Sequence, residues 1–367
     1  MSNQPILQVK NLCKDYGTGM VLHHLDLSVE AGEFLTLLGP SGCGKTTTLR
    51  IIAGLEEATE GSVWLEGRDV TALPPEKRPV NTVFQSYALF PHMNVYQNIA
   101  YGLKLRGVKK AEQKQRVAEA LELVRLTGYD KRMPGQLSGG QRQRVAIARA
   151  AVLKPKVLLL DEPLGALDLK LRQEMQVELK RLQQQLGITF IYITHDQDEA
   201  LNMSSRIVVM RDGRVEQIGT PEEVYERPAT LFTAGFIGQS NLIRGTVDSP
   251  AEDGVLMLKA GGVQLPGIAT TGYQPAAGDS AVLCLRPQRV RYGLEPQHGM
   301  ELEGRILSKT YSGGMQHTQI AISDELTVNA VSQTSEMDAF PVGSRVYVGW
   351  NARQTPIVPD EAEAGGR

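Results

Sequence analysis

Residues 33–53 read EFLTLLGPSGCGKTTTLRIIA. Glu33 to Leu38 is an apolar run of strand length, Gly39 to Gly44 is rich in glycine, and Lys45 to Ala53 carries a helical pattern. A strand that runs through a glycine loop into a helix is the building unit of α/β sheets, and it sets the loop at the carboxyl edge where such sheets bind ligands. The loop from Gly39 to Thr47 matches the phosphate-binding pattern G-x-x-x-x-G-K-[ST] in full. Its glycines let the backbone wrap a triphosphate through Ser41, Gly42, Cys43, Gly44 and Thr47. Lys45 reaches the outer phosphates, and the Thr46 hydroxyl is placed for magnesium. Cys43 lies among amides and beside Lys45, so an electropositive setting that favours its thiolate is expected.

Moving outward, two more apolar runs have strand length: Val157 to Leu160 and Ile188 to Ile193. The first ends in Asp161-Glu162. An acid at a strand end holds magnesium through its waters, and a second one polarises the attacking water. Between the runs, Leu171, Met175, Leu179, Leu182 and Leu186 mark one face of a helix that stops at Gly187. His195 ends the later strand and is expected at the same sheet edge as Glu162. Gln85 follows Val83-Phe84, where an amide can join the magnesium shell. Tyr16, before Gly17-Thr-Gly19, is either an ordinary loop tyrosine or an aromatic that stacks on a base. From Tyr96 to Arg132 the pattern is almost wholly helical, with Val117, Leu121 and Val124 on one face, and reads as an inserted subdomain over about residues 88–155.

A second phosphate cradle lies downstream in GQLSGGQRQRVAIARA, Gly135 to Ala150. Ser138, Gly139, Gly140 and Gln141 open a helix with Val145, Ala148 and Val152 on its apolar side, which supplies free N–H groups backed by a helix dipole. There are thus two cradles and one catalytic lysine.

The chain has 367 residues, enough for two or three domains. Thirty-nine basic against forty-one acidic residues leave no global basic field, so no nucleic-acid partner is expected, and the run Lys104 to Arg116 reads as a solvated helix face. Three scattered cysteines argue for a reducing compartment, and the opening MSNQPILQVK has no signal-like apolar core. A soluble, cytosolic chain is expected. After Asn241 the texture turns to short strand-like runs, Leu242 to Val247, Gly254 to Lys259, Ser280 to Leu285, Glu301 to Leu307, Gln316 to Ile322 and Arg345 to Trp350. These read as a small barrel or sandwich, giving a second domain over 239–367 after a first over 1–238. Ser312-Gly313-Gly314 reads as a hairpin turn, and the tail from Asp360 to Arg367 as a fraying end.

The ordered set Tyr16, GPSGCGKTT, Gln85, LSGGQ, VLLLDEP, Ala166-Leu167-Asp168 and His195 closely resembles the nucleotide-binding subunits of ATP-binding cassette transporters over residues 6–236. LSGGQ is the most specific element, since other phosphate-loop ATPases lack it. The resemblance implies a P-loop α/β ATPase with ATP and Mg2+ as cofactors, and it adds Asp168 to the nucleotide-binding residues. It also implies a homodimer in which two copies face each other head to tail, so that LSGGQ serves the neighbour's ATP. Phe236-Ile-Gly-Gln-Ser-Asn241 and the β-rich extension look like importer ATPases with an oligonucleotide-binding-fold-like regulatory domain, most similar to the spermidine/putrescine branch. Aminophosphonate, iron and sugar importers are the alternatives within that class. The departure is Trp350 to Gln354, where a Pro and a carboxylate are expected soon after the Trp. The implied partners are two transmembrane permease subunits and an external substrate-binding protein, at the cytoplasmic face of the membrane. A soluble ATPase acting on nucleic acid or ribosomes, or an exporter subunit, are the rival readings.

Overall fold

The structure, a computed structural model, describes residues 4–165, 167–249, 254–297, 299, 301–333 and 340–361. Ala166 and the tail beyond Glu361 lie outside the described residues. The chain forms two compact units, Met1–Pro221 and Glu222–Arg367.

The first unit runs β1 (Leu7–Asp15), β2 (Met20–Val29), β3 (Phe34–Leu38), α1 (Lys45–Ala53), β4 (Glu60–Leu65), β5 (Arg68–Asp69) and β6 (Val80–Val83). Three helices follow, α2 (Val95–Leu105), α3 (Lys110–Leu123) and α4 (Gly139–Ala151). Then come β7 (Val157–Asp161), α5 (Leu169–Leu186), β8 (Thr189–Thr194), α6 (Gln197–Met203), β9 (Arg206–Arg211) and β10 (Arg214–Gly219). One sheet has the order β2-β1-β4-β5, the other β10-β9-β3-β8-β7-β6. In the second, β9, β3, β8, β7 and β6 are parallel. β3, β7 and β8 are mainly apolar because both of their faces are covered, whereas the edge strand β6 carries Asn81 and Thr82 at its centre.

Register places the chemistry. Leu38 pairs with Thr194, Asp161 with Ile193 and Val83 with Leu160. The chain therefore leaves β3 into the phosphate loop, β7 into Glu162, β8 into His195 and β6 toward Gln85, all at one carboxyl edge.

Alternation along the same strands separates two cores. Leu158, Leu160, Phe190 and Tyr192 join Val117, Leu121, Val124, Val145, Ala148, Met175, Leu179 and Leu182 in one cluster. Val157, Leu159, Ile191 and Ile193 join Leu49, Ile51 and Ile52 in the other. The helix that follows the phosphate loop and the helix that begins at LSGGQ thus pack on opposite faces of one sheet. The basic run Lys104 to Arg116 spans the α2–α3 turn and is largely exposed.

The second unit holds α7 (Pro221–Glu226, straddling the division) and α8 (Leu231–Phe236). Its strands are β11 (Asn241–Ser249), β12 (Leu256–Ala260), β13 (Val263–Ala269), β14 (Ser280–Leu285), β15 (Arg291–Gly293), β16 (Leu302–Ser312), β17 (Met315–Ala321), β18 (Thr327–Gln333), β19 (Arg345–Gly349) and β20 (Pro356–Pro359). β11-β12-β13-β20-β14 close into a barrel, and β15-β19-β16-β17-β18 form a separate sheet. Gly313 and Gly314 make the β16–β17 turn at φ 55° and 89°, the geometry a two-residue hairpin loop needs. The composition break near residue 238 differs from the structural division at Pro221. The reason is Arg286, a buried guanidinium that donates to Tyr225 O (2.6 Å), Ile237 O (2.7 Å) and Ser240 Oγ (2.6 Å), binding the helical segment into the β-rich unit.

Candidate functional site

The phosphate loop has its shape because only glycine fits it. A β-carbon on Gly39 would lie 2.3 Å from Met210 O, and Gly42 and Gly44 stand at φ 83° and 97°. Lys45 is buried within the loop, its Nζ donating to Gly39 O at 2.7 Å and Pro40 O at 2.8 Å. The ammonium is held at the mouth of the cradle as a fixed charge for outer phosphates. Ser41 is exposed and Thr47 partly so at the rim.

Cys43 overturns the thiolate expectation. It is buried, and although Lys45 Nζ approaches its sulfur at 3.8 Å, desolvation pushes the thiol above its ordinary range. What Cys43 offers a nucleotide is its backbone.

At the same edge Thr46 Oγ1 donates to Asp161 Oδ1 at 3.3 Å. Burial, then the Glu162 charge, raise the Asp161 carboxyl above its usual range, against the Thr46 hydrogen bond and the charges of Arg50 and Lys45. A divalent cation would relieve that cost. A β-carbon on Gly165 would lie 3.6 Å from Gln85 Nε2 and 4.0 Å from Glu162 Oε2, so the amide and the carboxylate flank one glycine. Among the described residues no cluster of three His, Cys, Asp or Glu side chains forms a metal cage. A hydroxyl, a carboxylate and an amide fit magnesium, a hard cation that takes oxygen donors and is completed by phosphate oxygens and water.

Glu162 adopts left-handed backbone, φ 43°, and its N–H donates to Ile193 O at 3.1 Å. Strain of this kind concentrates at functional sites. Here it turns the side chain to His195, whose Nδ1 lies 3.2 Å from Glu162 Oε1. Behind them, Glu199 accepts from Tyr192 OH and Thr194 Oγ1, both at 2.7 Å, while Arg172 spans Asp196 Oδ2 (3.1 Å) and Leu167 O (3.1 Å). The sequence reading missed this support; its signal is the polar run His195-Asp-Gln-Asp-Glu199 following a buried strand.

Tyr16 sits half-exposed in the β1–β2 turn with the Lys14 ammonium 4.7 Å from its ring centre. The β1–β2 hairpin abuts the phosphate loop, since a β-carbon on Gly44 would meet Leu22 Cδ2 at 2.5 Å. A planar base can stack on such a ring beside the cradle.

Ser138 caps α4: its Oγ accepts from Gln141 N at 3.3 Å, and Gln141 Oε1 accepts from Ser138 N at 3.0 Å. Gly139 and Gly140 pack closely against Leu167 and Leu171, where β-carbons would sit 3.2 Å from a methyl of each and press it back by a few tenths of an ångström. Asp168, between those leucines, caps α5 through Leu171 N at 3.0 Å. The structure thus gathers Lys45, Thr46, Gln85, Asp161, Glu162 and His195 at one edge. The Ser138–Gln141 cradle instead heads a helix on the opposite face of the sheet from α1.

The ABC transporter family matches residues 22–165, and the TOBE domain matches residues 283–356. The spermidine/putrescine import ATP-binding protein PotA of Rubrobacter xylanophilus is 49% identical over 353 residues, 96% of this chain and 93% of that protein. That of Marinobacter nauticus is 48% identical over 364 residues, 98% of this chain and 97% of that protein. Among solved structures, cbiO1 from Clostridium perfringens, part of the ABC transporter complex cbiONQ, superposes with a TM-score of 0.57 at 32% identity, covering 60% of this chain and 90% of that one. The ATP-binding cassette MJ0796, in a dimeric post-hydrolysis state bound to ADP and Pi, gives 0.53 at 33% identity, covering 59% of this chain and 98% of that one. With the phosphate loop, the acidic strand end and the LSGGQ helix in these places, the chain belongs to the ATP-binding cassette transporter family, as an ATP-hydrolysing subunit with a β-rich oligonucleotide-binding-fold-like C-terminal unit.

Proposed function

We propose that two copies of this chain close head to tail on two ATP molecules and, at the cytoplasmic face of a membrane, drive polyamine import through two permease subunits fed by an external binding protein. The observation that carries the dimer is the separation of the two cradles on opposite sheet faces, which suits each to a different nucleotide. The names of the full-length relatives carry the polyamine assignment. Among the described residues no helix is long and apolar enough to cross a membrane.

In this reading Lys45 and the loop amides hold the outer phosphates, and Tyr16 stacks on the base. Thr46, Asp161 and Gln85 hold magnesium, which supplies charge neutralisation on the phosphates. Glu162 accepts the proton of the attacking water, and His195 fixes that carboxylate and faces the γ-phosphate. Ser138 to Gln141 of a second copy closes the site with N–H groups and a hydroxyl. The chain should co-purify with membrane proteins, and vesicles holding the assembled complex should accumulate labelled spermidine only with ATP and the binding protein. Accumulation of an aminophosphonate, iron or a sugar in place of spermidine and putrescine sinks the polyamine assignment.

A further inference from the structure

Two residues after Gln85 the backbone does something unusual: Tyr87 and Ala88 are both left-handed, at φ 61° and 45°. Consecutive non-glycine residues hold this conformation only where their surroundings over-determine it. Here one side chain does so. Arg149, near the end of α4, donates through Nη2 to Tyr87 O at 2.9 Å and through Nη1 to Ala88 O at 2.7 Å. Its guanidinium also lies 5.5 Å over the Phe90 ring, and the Tyr87 ring is buried. A planar fork with fixed donors matches two adjacent carbonyls in a way that a lysine ammonium does not. At the far end of the same loop, fully buried Asn98 accepts from Phe90 N and donates to Phe90 O, Met93 O and Asn94 O. The segment is therefore pinned to α2 by Asn98 and to α4 by Arg149.

We propose that Arg149 is the positioning residue of the Gln85 loop: by holding Tyr87 and Ala88 left-handed it sets where the Gln85 amide meets magnesium, and it ties that amide to the helix headed by Ser138. One helix then carries a phosphate cradle at its start and the clamp on the chain's own magnesium ligand at its end, a continuous rigid link between two nucleotide sites. The inference rests on reading Gln85 as a magnesium ligand, and its test separates the two.

ATP turnover of the full chain is measured against free magnesium, alongside metal-free ATP binding. Arg149→Lys should raise the half-saturating magnesium concentration about tenfold, the scale of an outer-shell change at a metal site, while metal-free ATP binding stays at the wild-type level. Glycine adopts left-handed backbone without a steric penalty, so Ala88→Gly added to Arg149→Lys should return the magnesium dependence toward wild type. Failure of that rescue means Arg149 acts by packing alone and overturns the proposal. So does a wild-type magnesium dependence in Arg149→Lys when Gln85→Ala is shifted, and the reading of Gln85 then survives. An unshifted Gln85→Ala overturns that reading and the proposal with it. If Arg149→Lys does not fold, Ala88→Val, which penalises the left-handed backbone from an exposed position, must raise the magnesium requirement; an unchanged requirement overturns the proposal.

Discussion

His195 Nδ1 and Glu162 Oε1 stand 3.2 Å apart at the ends of adjacent parallel strands. The carboxylate is held in position by a ring that itself remains more than half exposed, open to a phosphate. Replacing Glu162 by Gln keeps the shape and removes the proton acceptor, so turnover should fall at least about 100-fold while ATP binding persists. Size-exclusion chromatography with ATP and magnesium should show dimer accumulating. Near wild-type turnover would take Glu162 out of the mechanism.

A mixed dimer tests the placement of the second cradle. One copy carries Lys45→Ala, the other Ser138→Arg, both on the Glu162→Gln background. If LSGGQ serves the opposite copy, both lesions fall in one composite site, and about one ATP per dimer is occluded. Occlusion of none, with folded single-lesion controls, counts against the head-to-tail arrangement.

All three cysteines, Cys13, Cys43 and Cys284, are free and buried. Burial drives the Cys284 thiol to about 12, with Arg286 only partly opposing, and raises Cys43 as well. The native protein should therefore react slowly with an aromatic disulfide reagent near neutral pH, and release three equivalents only in denaturant. Fast native labelling that ATP suppresses would restore a reactive Cys43.

Glu199 gives a pH signature. Desolvation, then the Asp196 charge, raise its carboxyl above the ordinary range, outweighing the hydrogen bonds from Thr194 and Tyr192 and the charge of Arg172. The folded state binds this proton more tightly than the unfolded one, so the contribution is full below the ordinary glutamate range. It is lost as pH rises through the raised folded value. Glu199→Gln has no such proton. The stability of the wild type relative to Glu199→Gln, from urea midpoints across about pH 4 to 8, should fall with rising pH; parallel curves refute the assignment.

The phosphate loop, the acidic strand end and the end of α5 were legible because each combines an apolar pattern with a residue that interrupts it: Gly39 after an apolar run, Asp161 after Val157 to Leu160, Gly187 after the α5 stripe. The LSGGQ cap was legible because Ser138 and two glycines stand at the head of a helical pattern. Strand ends also fixed which side chains meet, since parallel register delivers them to one edge. What stayed hidden depends on distant neighbours. The burial of Cys43 comes from the core beneath the loop, where Gly39 is pressed against Met210 of β9. Arg149 is the last of three arginines on α4, and its carbonyl partners lie 61 and 62 positions away. In the second unit, β13 and β20 escaped notice because Pro266 and the prolines at 356 and 359 read as breakers, although the strands that contain them help close the barrel.

The opposite-face placement of α1 and α4 bears on inheritance. If the two cradles of one chain serve different nucleotides, a copy with a ruined Ser138 cap spoils a site whose lysine belongs to an intact copy. A cell making both versions builds many dimers in which a sound chain is silenced by its neighbour. Lesions at Ser138 to Gln141 should then behave as dominant, with a severity set by the ratio of the two gene products.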